Sequence, residues 1–177
     1  MKYDKVKFRK LVHYICNSIE ADFLGATKLD KSLWFADVLA YLHLEKPITG
    51  ETYIKRQFGP VPYHILPAVD ELVKAGMIVV KEKPFYVGTK REFISLTEPD
   101  VSVFSPQEMA LIDYAVNYVC KENTARSISA KSHNRIWELA EIGEEIPYHA
   151  IWATQLGEID EHDIAWAKNC LKAMVAA

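Results

Sequence analysis

The stretch TKLDKSLWFADVLAYL occupies residues 27–42 and predicts the most apolar helix of the chain. Its large apolar residues lie on more than one side of a helix; they are Leu29, Leu33, Trp34, Val38, Tyr41 and Leu42. A helix with this pattern packs against several neighbours. Thr27 is expected to cap its amino end, with Asp30 in the third helical position. The stretch therefore predicts a central helix.

Amphipathic helices are predicted on both sides of this stretch. The first covers about residues 4–21, where apolar residues recur at helical spacing. Others cover about residues 63–75, 125–140 and 160–174. One more begins at Ser105, because the run Ser-Pro-Gln-Glu combines an N-cap serine, a proline at the first position and a capping-box glutamate.

The run Gly59-Pro60-Val61-Pro62 predicts a stiff bend between a short strand at residues 52–55 and the helix that follows. Each proline fixes its own φ and disfavours a helical conformation in the preceding residue. Residues 77–80 and 93–96 are rich in β-branched and aromatic side chains, so they predict a small β-hairpin. The bend is expected to position Tyr63 and the helix beyond it.

Length and composition predict one domain over residues 1–177. Half of the 177 residues are hydrophobic and a quarter are charged, which suits one compact core. The expected fold class is α+β and predominantly helical, with a central apolar helix and a small antiparallel β-hairpin. We find no internal repeat and no flexible linker.

Sequence features also predict the compartment. The first residues lack the apolar run of a secretory signal, and no stretch approaches the length of a membrane span. The three cysteines are Cys16, Cys120 and Cys170, and they form no Cys-x-x-Cys pair. Buried thiols in a reducing environment are therefore expected. The predicted location is the cytoplasm, without membrane contact.

No constellation of residues predicts catalysis, a cofactor or a metal. His13 and Cys16 are spaced for one helix face, but structural zinc needs a second pair of ligands. We expect a partly exposed histidine and a buried cysteine there. The seven glycines are scattered, so no phosphate-binding loop is formed, and no cysteine lies in a nucleophile elbow. The chain is not expected to be an enzyme.

The pair His133 and Trp137 lies four residues apart, so the two rings can pack together on a helix. Two interpretations are open. In the first, His133 completes an edge of the core. In the second, it supports the loop at residues 146–151 from beneath. Both are structural roles.

Charge is distributed unevenly along the chain. The first ten residues contain five lysines and arginines, whereas residues 136–163 contain acidic residues and no lysine or arginine. Such asymmetry can steer a partner or can be satisfied within the chain. We favour a partner, and the alternative is a basic first helix packed on the acidic end.

Residues 72–97 also resemble the second half of a winged-helix domain, in which a helix enters the DNA major groove. The hairpin would supply Lys81, Lys83, Lys90 and Arg91. The helix argues against this, because its exposed positions include Asp70 and Glu71, and Lys74 is its only basic residue. The net charge of -3 offers no basic surplus, so nucleic-acid binding is the less favoured alternative.

An ordered set of motifs resembles a known family. The run from Gly25 to Asp37 is similar to a family helix that carries Thr-Lys-Leu and Leu-Tyr-Phe-Ala, with Trp34 at a frequent tyrosine position. Pro47-Ile48-Thr49-Gly50, Tyr53 and Phe58-Gly59-Pro60-Val61-Pro62 follow in the order expected. This set resembles the Panacea domain of SocA-like antitoxins, which often occurs in phage-associated proteins. The motif residues expected to be architectural are Thr27, Lys28, Leu29, Trp34, Phe35, Asp37, Gly59, Pro60, Val61, Pro62 and His133.

The resemblance implies a protein that neutralises a cognate toxin, usually encoded beside it, by direct binding. Some relatives act as adaptors that deliver the toxin to a cytosolic protease. The same fold serves many unrelated toxins, so the resemblance names no target. Interface anchors are often aromatic, and the aromatic residues expected on turns or loops are Tyr63, Phe85, Tyr86, Tyr148 and Trp152. The alternative for each of these residues is a buried position in the core.

Overall fold

The computed structural model describes residues 2–84, 88–149 and 151. The helices are α1 (Lys5–Ser18), α2 (Ala26–Leu44), α3 (Ile65–Lys74), α4 (Pro106–Cys120), α5 (Ala125–Lys131) and α6 (Arg135–Leu139). The strands are β1 (Tyr53–Arg56), β2 (Gly59–Pro62), β3 (Ile78–Pro84) and β4 (Thr89–Ser95). This confirms a predominantly helical α+β fold. The helix predicted at residues 160–174 lies outside the described residues.

Helix α2 is the centre of the core, as its apolar sequence predicts. It contacts α1, α4, α5, β2 and β4. Leu29, Leu33, Trp34 and Val38 are buried on several sides of the helix. Burying side chains of this size is favourable by roughly 1.5–3 kcal/mol each relative to exposing them.

The predicted start of α2 is wrong by two residues. Gly25 is the N-cap, with extended backbone angles and no side chain to accept a hydrogen bond. Ala26 begins the helix, so Thr27 lies within the first turn and Asp30 in the second. Glycine is tolerated at this position because an N-cap needs a non-helical backbone more than it needs a side chain.

The Gly-Pro-Val-Pro run is a strand, where a bend was predicted. Strands β1 and β2 pair antiparallel, with Tyr53 opposite Pro62 and Arg56 opposite Gly59. Two prolines are tolerated because β2 is an edge strand, and its unpaired side needs no N–H donors. The other edge of β1 is covered, since Lys55 N donates to Glu144 O and Ile146 N donates to Tyr53 O. The described chain therefore has two hairpins where one was predicted.

The hairpin β3–β4 is confirmed, and it extends beyond the predicted residues. Gly76 ends α3 with a positive φ of 67°. Its N–H donates to Val73 O, and Met77 N donates to Leu72 O, which is the Schellman pattern. The capping box at Ser105 is also confirmed.

The helix predicted at residues 125–140 is divided into α5 and α6. The division occurs because Asn134 caps a new helix, its side chain accepting from Trp137 N. Helix α1 ends at Ser18, three residues earlier than predicted, and a 3₁₀ turn at Ala21–Phe23 follows it. None of the helices in the described part of the chain is long and apolar enough to cross a membrane.

Candidate functional site

Lys31 joins the central helix to the hairpin β1–β2. Its side chain is 1% exposed, and Nζ donates to Pro60 O at 2.8 Å. Burial lowers the pKa of Lys31, and the same cause raises the pKa of neighbouring Asp30. Sequence reasoning missed Lys31, because a lysine in a helix is usually exposed. This contact joins the α2 run to the Gly-Pro-x-Pro run.

Gly59 makes that contact possible. Its φ is 103°, a conformation that other residues adopt rarely. A Cβ atom at this position would lie 2.3 Å from Ser132 Oγ and 2.5 Å from Lys31 Nζ. Ser129 Oγ donates to Phe58 O at 2.9 Å, so α5 also holds this turn. The turn is thus clamped between α2 and α5.

Asp37 organises the loop between α2 and β1. Its carboxylate accepts hydrogen bonds from Thr49 N at 2.8 Å, Thr49 Oγ1 at 2.6 Å and Tyr53 Oη at 2.9 Å. The side chain is fully buried, and this burial raises the pKa of Asp37 to about 6. Trp34 packs edge-to-face on Tyr53, with 4.9 Å between the ring centroids. These motif residues therefore have structural roles.

His133 and Trp137 stack as their spacing predicts, with ring centroids 3.6 Å apart and planes 2° from parallel. Lys55 Nζ lies 4.2 Å from the Trp137 ring centroid and donates to Glu138 O and Ala140 O. Burial lowers the pKa of His133. These contacts lie around α5, α6 and β1, so they favour the core-edge interpretation of His133.

An apolar groove opens beside the clamped turn, where the two hairpins, α2 and α3 meet. Its volume is about 280 Å³. Apolar side chains from all of these elements line it; among them are Leu29, Ile54, Val61, Val69, Val80 and Phe93. We call this feature the α3 groove. It places three residues of the Gly25–Asp37 run, Ala26, Leu29 and Asp30, in one concave surface with Val61 and Pro62 of the Gly-Pro-x-Pro run.

Tyr63 and Leu66 also line the groove and extend into solvent. Tyr63 is 62% exposed and Leu66 is 66% exposed. Tyr63 N donates to Thr52 O at 2.8 Å, and its ring packs edge-to-face on His64. His64 is held by Glu51, whose Oε1 lies 2.9 Å from Nδ1. The backbone below Tyr63 is therefore fixed before any partner arrives.

Besides Tyr63, three ionisable residues line the α3 groove: Asp30, Arg56 and Arg91. Arg91 Nε lies 3.4 Å from Glu82 Oε1. Asp30 is half-buried, and its carboxyl group forms no hydrogen bond with the described residues. The groove is thus mainly apolar, with two guanidinium groups and one carboxyl group among its lining residues.

The predicted interface residues have different outcomes. Tyr63 is exposed at the groove, as an anchor requires. Tyr148 is 8% exposed and its hydroxyl donates to Glu51 O, so it belongs to the core and is no exposed anchor. Its ring is buried because it packs with Trp34 and Tyr53. Phe85, Tyr86 and Trp152 lie outside the described residues. Leu66 was missed, because the helical pattern around it does not mark it as exposed.

His13 and Cys16, which share one face of α1, have structural roles. His13 is buried, which differs from the partly exposed histidine expected; its Nε2 lies 3.0 Å from Ser95 Oγ and 3.1 Å from Thr97 O. Cys16 and Cys120 are buried free thiols, and burial raises the pKa of Cys16 to about 12. Within residues 2–84, 88–149 and 151, no group of three or more His, Cys, Asp or Glu side chains is placed to hold a metal.

The basic residues of α1 pair with carboxylates of the described chain that lie outside residues 136–149. Lys5 and Arg9 contact Glu71, whereas Lys7 contacts Glu108 at 2.6 Å. Lys10 lies 2.7 Å from Asp100. These pairs satisfy the α1 cations within the chain, which lowers the support for the partner interpretation. The acidic residues at positions 158–163 lie outside the described residues, so the acidic-end alternative stays a prediction.

Three of the four β3–β4 cations, Lys83, Lys90 and Arg91, are also paired. Lys83 lies 2.7 Å from Glu92, and Lys90 lies 3.3 Å from the same carboxylate. Arg91 pairs with Glu82. Carboxylates beside these cations reduce the attraction of the hairpin for phosphates, which weakens the winged-helix alternative.

Comparison with known proteins agrees with the motif pattern. The family model described as antitoxin SocA-like, Panacea domain, matches residues 29–138, which is more than half of the chain. Neither a curated protein nor a solved structure matches the chain. The matched region begins in α2, ends in α6 and contains the clamped turn and most of the residues that line the α3 groove. The chain belongs to the SocA-like antitoxin family that is defined by the Panacea domain.

Proposed function

We propose that this chain is a cytoplasmic antitoxin that neutralises a nearby-encoded protein toxin by direct binding, rather than by catalysis. The family match over residues 29–138 is the observation that carries this proposal. Delivery of the toxin to a cytosolic protease remains a prediction from the resemblance alone.

The α3 groove is the surface that we propose for toxin binding. Tyr63 and Leu66 combine high exposure with a fixed backbone, and a fixed anchor loses little conformational entropy on binding. Tyrosine and arginine are enriched among the residues that dominate binding energy, and the groove contains Tyr63, Arg56 and Arg91. An exposed apolar surface rimmed by polar groups is typical of an interaction site.

Co-expression tests the proposal in cells. The neighbouring gene product is expected to arrest growth alone, and the wild-type chain is expected to restore growth. The double variant Tyr63→Asp/Leu66→Asp should fail to restore growth, because it places two charges against the apolar anchor site.

A matched control uses residues of the same types and similar exposure outside the groove. Tyr114 in α4 is 59% exposed and Leu139 in α6 is 73% exposed. The variant Tyr114→Asp/Leu139→Asp should still restore growth. Arrest that persists with the wild-type chain, at equal expression of both proteins, would sink the antitoxin proposal. Equal rescue by both double variants would leave the groove without a role.

A further inference from the structure

The size of the α3 groove indicates what kind of ligand it accepts. Small-molecule sites usually measure about 300–1,000 Å³ and enclose most of their ligand. The groove measures about 280 Å³ and has exposed Tyr63 and Leu66 along it. These properties suit apolar side chains that project from a partner surface.

The charges in the groove indicate the polar chemistry of that partner. Arg91 already has Glu82 as its partner. Arg56 is exposed and, among the residues that the structure describes, no carboxylate forms an ion pair with it. A guanidinium group in this position is available to a carboxylate from outside.

The position of Arg56 is fixed relative to the apolar lining. Its backbone pairs with Gly59 in the hairpin, next to the clamp by Lys31 and Ser132. Ile54 precedes it by two residues on the same strand face and also lines the groove. One partner segment can therefore place an apolar side chain in the groove and a carboxylate beside Arg56 at the same time.

We infer that the α3 groove binds a segment of the toxin whose apolar side chains fill the groove while a neighbouring carboxylate pairs with Arg56. This inference rests on the proposed function and adds the chemistry of the bound segment. Direct pairing with this guanidinium group also gives specificity, since a basic residue at the same place is repelled.

Peptide binding tests the inference without the toxin. The probes are fluorescein-labelled amphipathic helical peptides of about 15 residues with one leucine and phenylalanine stripe, which differ only in Glu, Gln or Lys beside the stripe. The full chain is expected to bind the Glu peptide about tenfold more tightly than the Lys peptide, as fluorescence anisotropy measures it. Arg56→Glu should reverse this order, and Arg135→Glu, an exposed arginine of α6, should preserve it.

Several outcomes would overturn the inference. One is equal affinity for the three peptides, and another is an unchanged order in Arg56→Glu. A concentration-dependent dimer in sedimentation that Tyr63→Asp abolishes would identify a second copy as the occupant. Glu-peptide binding that appears only after removal of residues 152–177, which contain four acidic and two basic residues, would identify this chain's own segment. The growth assay is separate, so failure of the peptide test leaves the antitoxin proposal standing.

Discussion

Gly59→Ala is expected to destabilise the fold by about 3 kcal/mol or more. Two costs add together. The φ of 103° is unfavourable for alanine, and the new Cβ overlaps Ser132 Oγ and Lys31 Nζ. Urea unfolding followed by circular dichroism measures the loss as a lower midpoint.

Gly76→Ala is the matched control for this substitution. Gly76 also has a positive φ, but a Cβ atom there would meet no atom within 4 Å. It should lose only about 1 kcal/mol, the cost of the backbone conformation. Adding Ser132→Ala to Gly59→Ala should recover part of the loss. Equal losses at Gly59 and Gly76 would contradict the clamp that joins the two family motifs.

Asp37→Ala is expected to destabilise the fold by about 3 kcal/mol or more. The substitution leaves Thr49 N, Thr49 Oγ1 and Tyr53 Oη without their acceptor inside the core. Asp37→Asn should lose much less, because an amide oxygen can accept from Thr49 N and the two hydroxyl groups can reorient toward the amide NH₂. Comparable losses in the two variants would show that the carboxylate contacts do not organise this loop.

The same residue predicts a pH dependence. Burial raises the folded-state pKa of Asp37 to about 6, whereas an unfolded aspartate titrates near 3.9. Between these values the folded state binds the extra proton, so this group adds stability as pH falls from about 6 to 4. The free energy of unfolding of the wild type, minus that of Asp37→Asn, should therefore be larger at about pH 4 than at about pH 7. A smaller difference under the acidic condition would contradict the raised pKa.

The sequence predicts best where local chemistry determines the structure. The capping box at Ser105 and the apolar excess of α2 both appear as predicted. Each depends on residues close together in the chain, so the pattern of residue types is sufficient. The family resemblance covers the same well-predicted part of the chain and is confirmed.

The prediction fails where contacts distant in sequence determine the structure. The local preferences of Pro60 and Pro62 argue against a strand. Residues 59–62 nevertheless form an edge strand, because they pair with β1 on one side. The local sequence suggests that Lys31 is an exposed helix residue. It is buried because it donates to Pro60 O, which is distant in the sequence. The α3 groove could not be predicted for the same reason. Its walls come from four separate parts of the fold, and no short sequence motif indicates that these parts lie together. Tyr63 was predicted as an interface residue from its place after the turn, whereas the exposure of Leu66 is evident only in the structure.

Direct binding to the purified toxin, measured by isothermal titration calorimetry, tests the central claim of a groove-mediated antitoxin most directly. The wild-type chain and Tyr114→Asp/Leu139→Asp should bind the toxin with the same affinity. The groove variant Tyr63→Asp/Leu66→Asp should bind about a hundredfold more weakly or worse. It should still unfold at the same urea concentration as the wild type. Unchanged affinity in that folded groove variant would contradict toxin binding through the α3 groove. Absence of any heat or complex with the wild-type chain would contradict direct neutralisation itself.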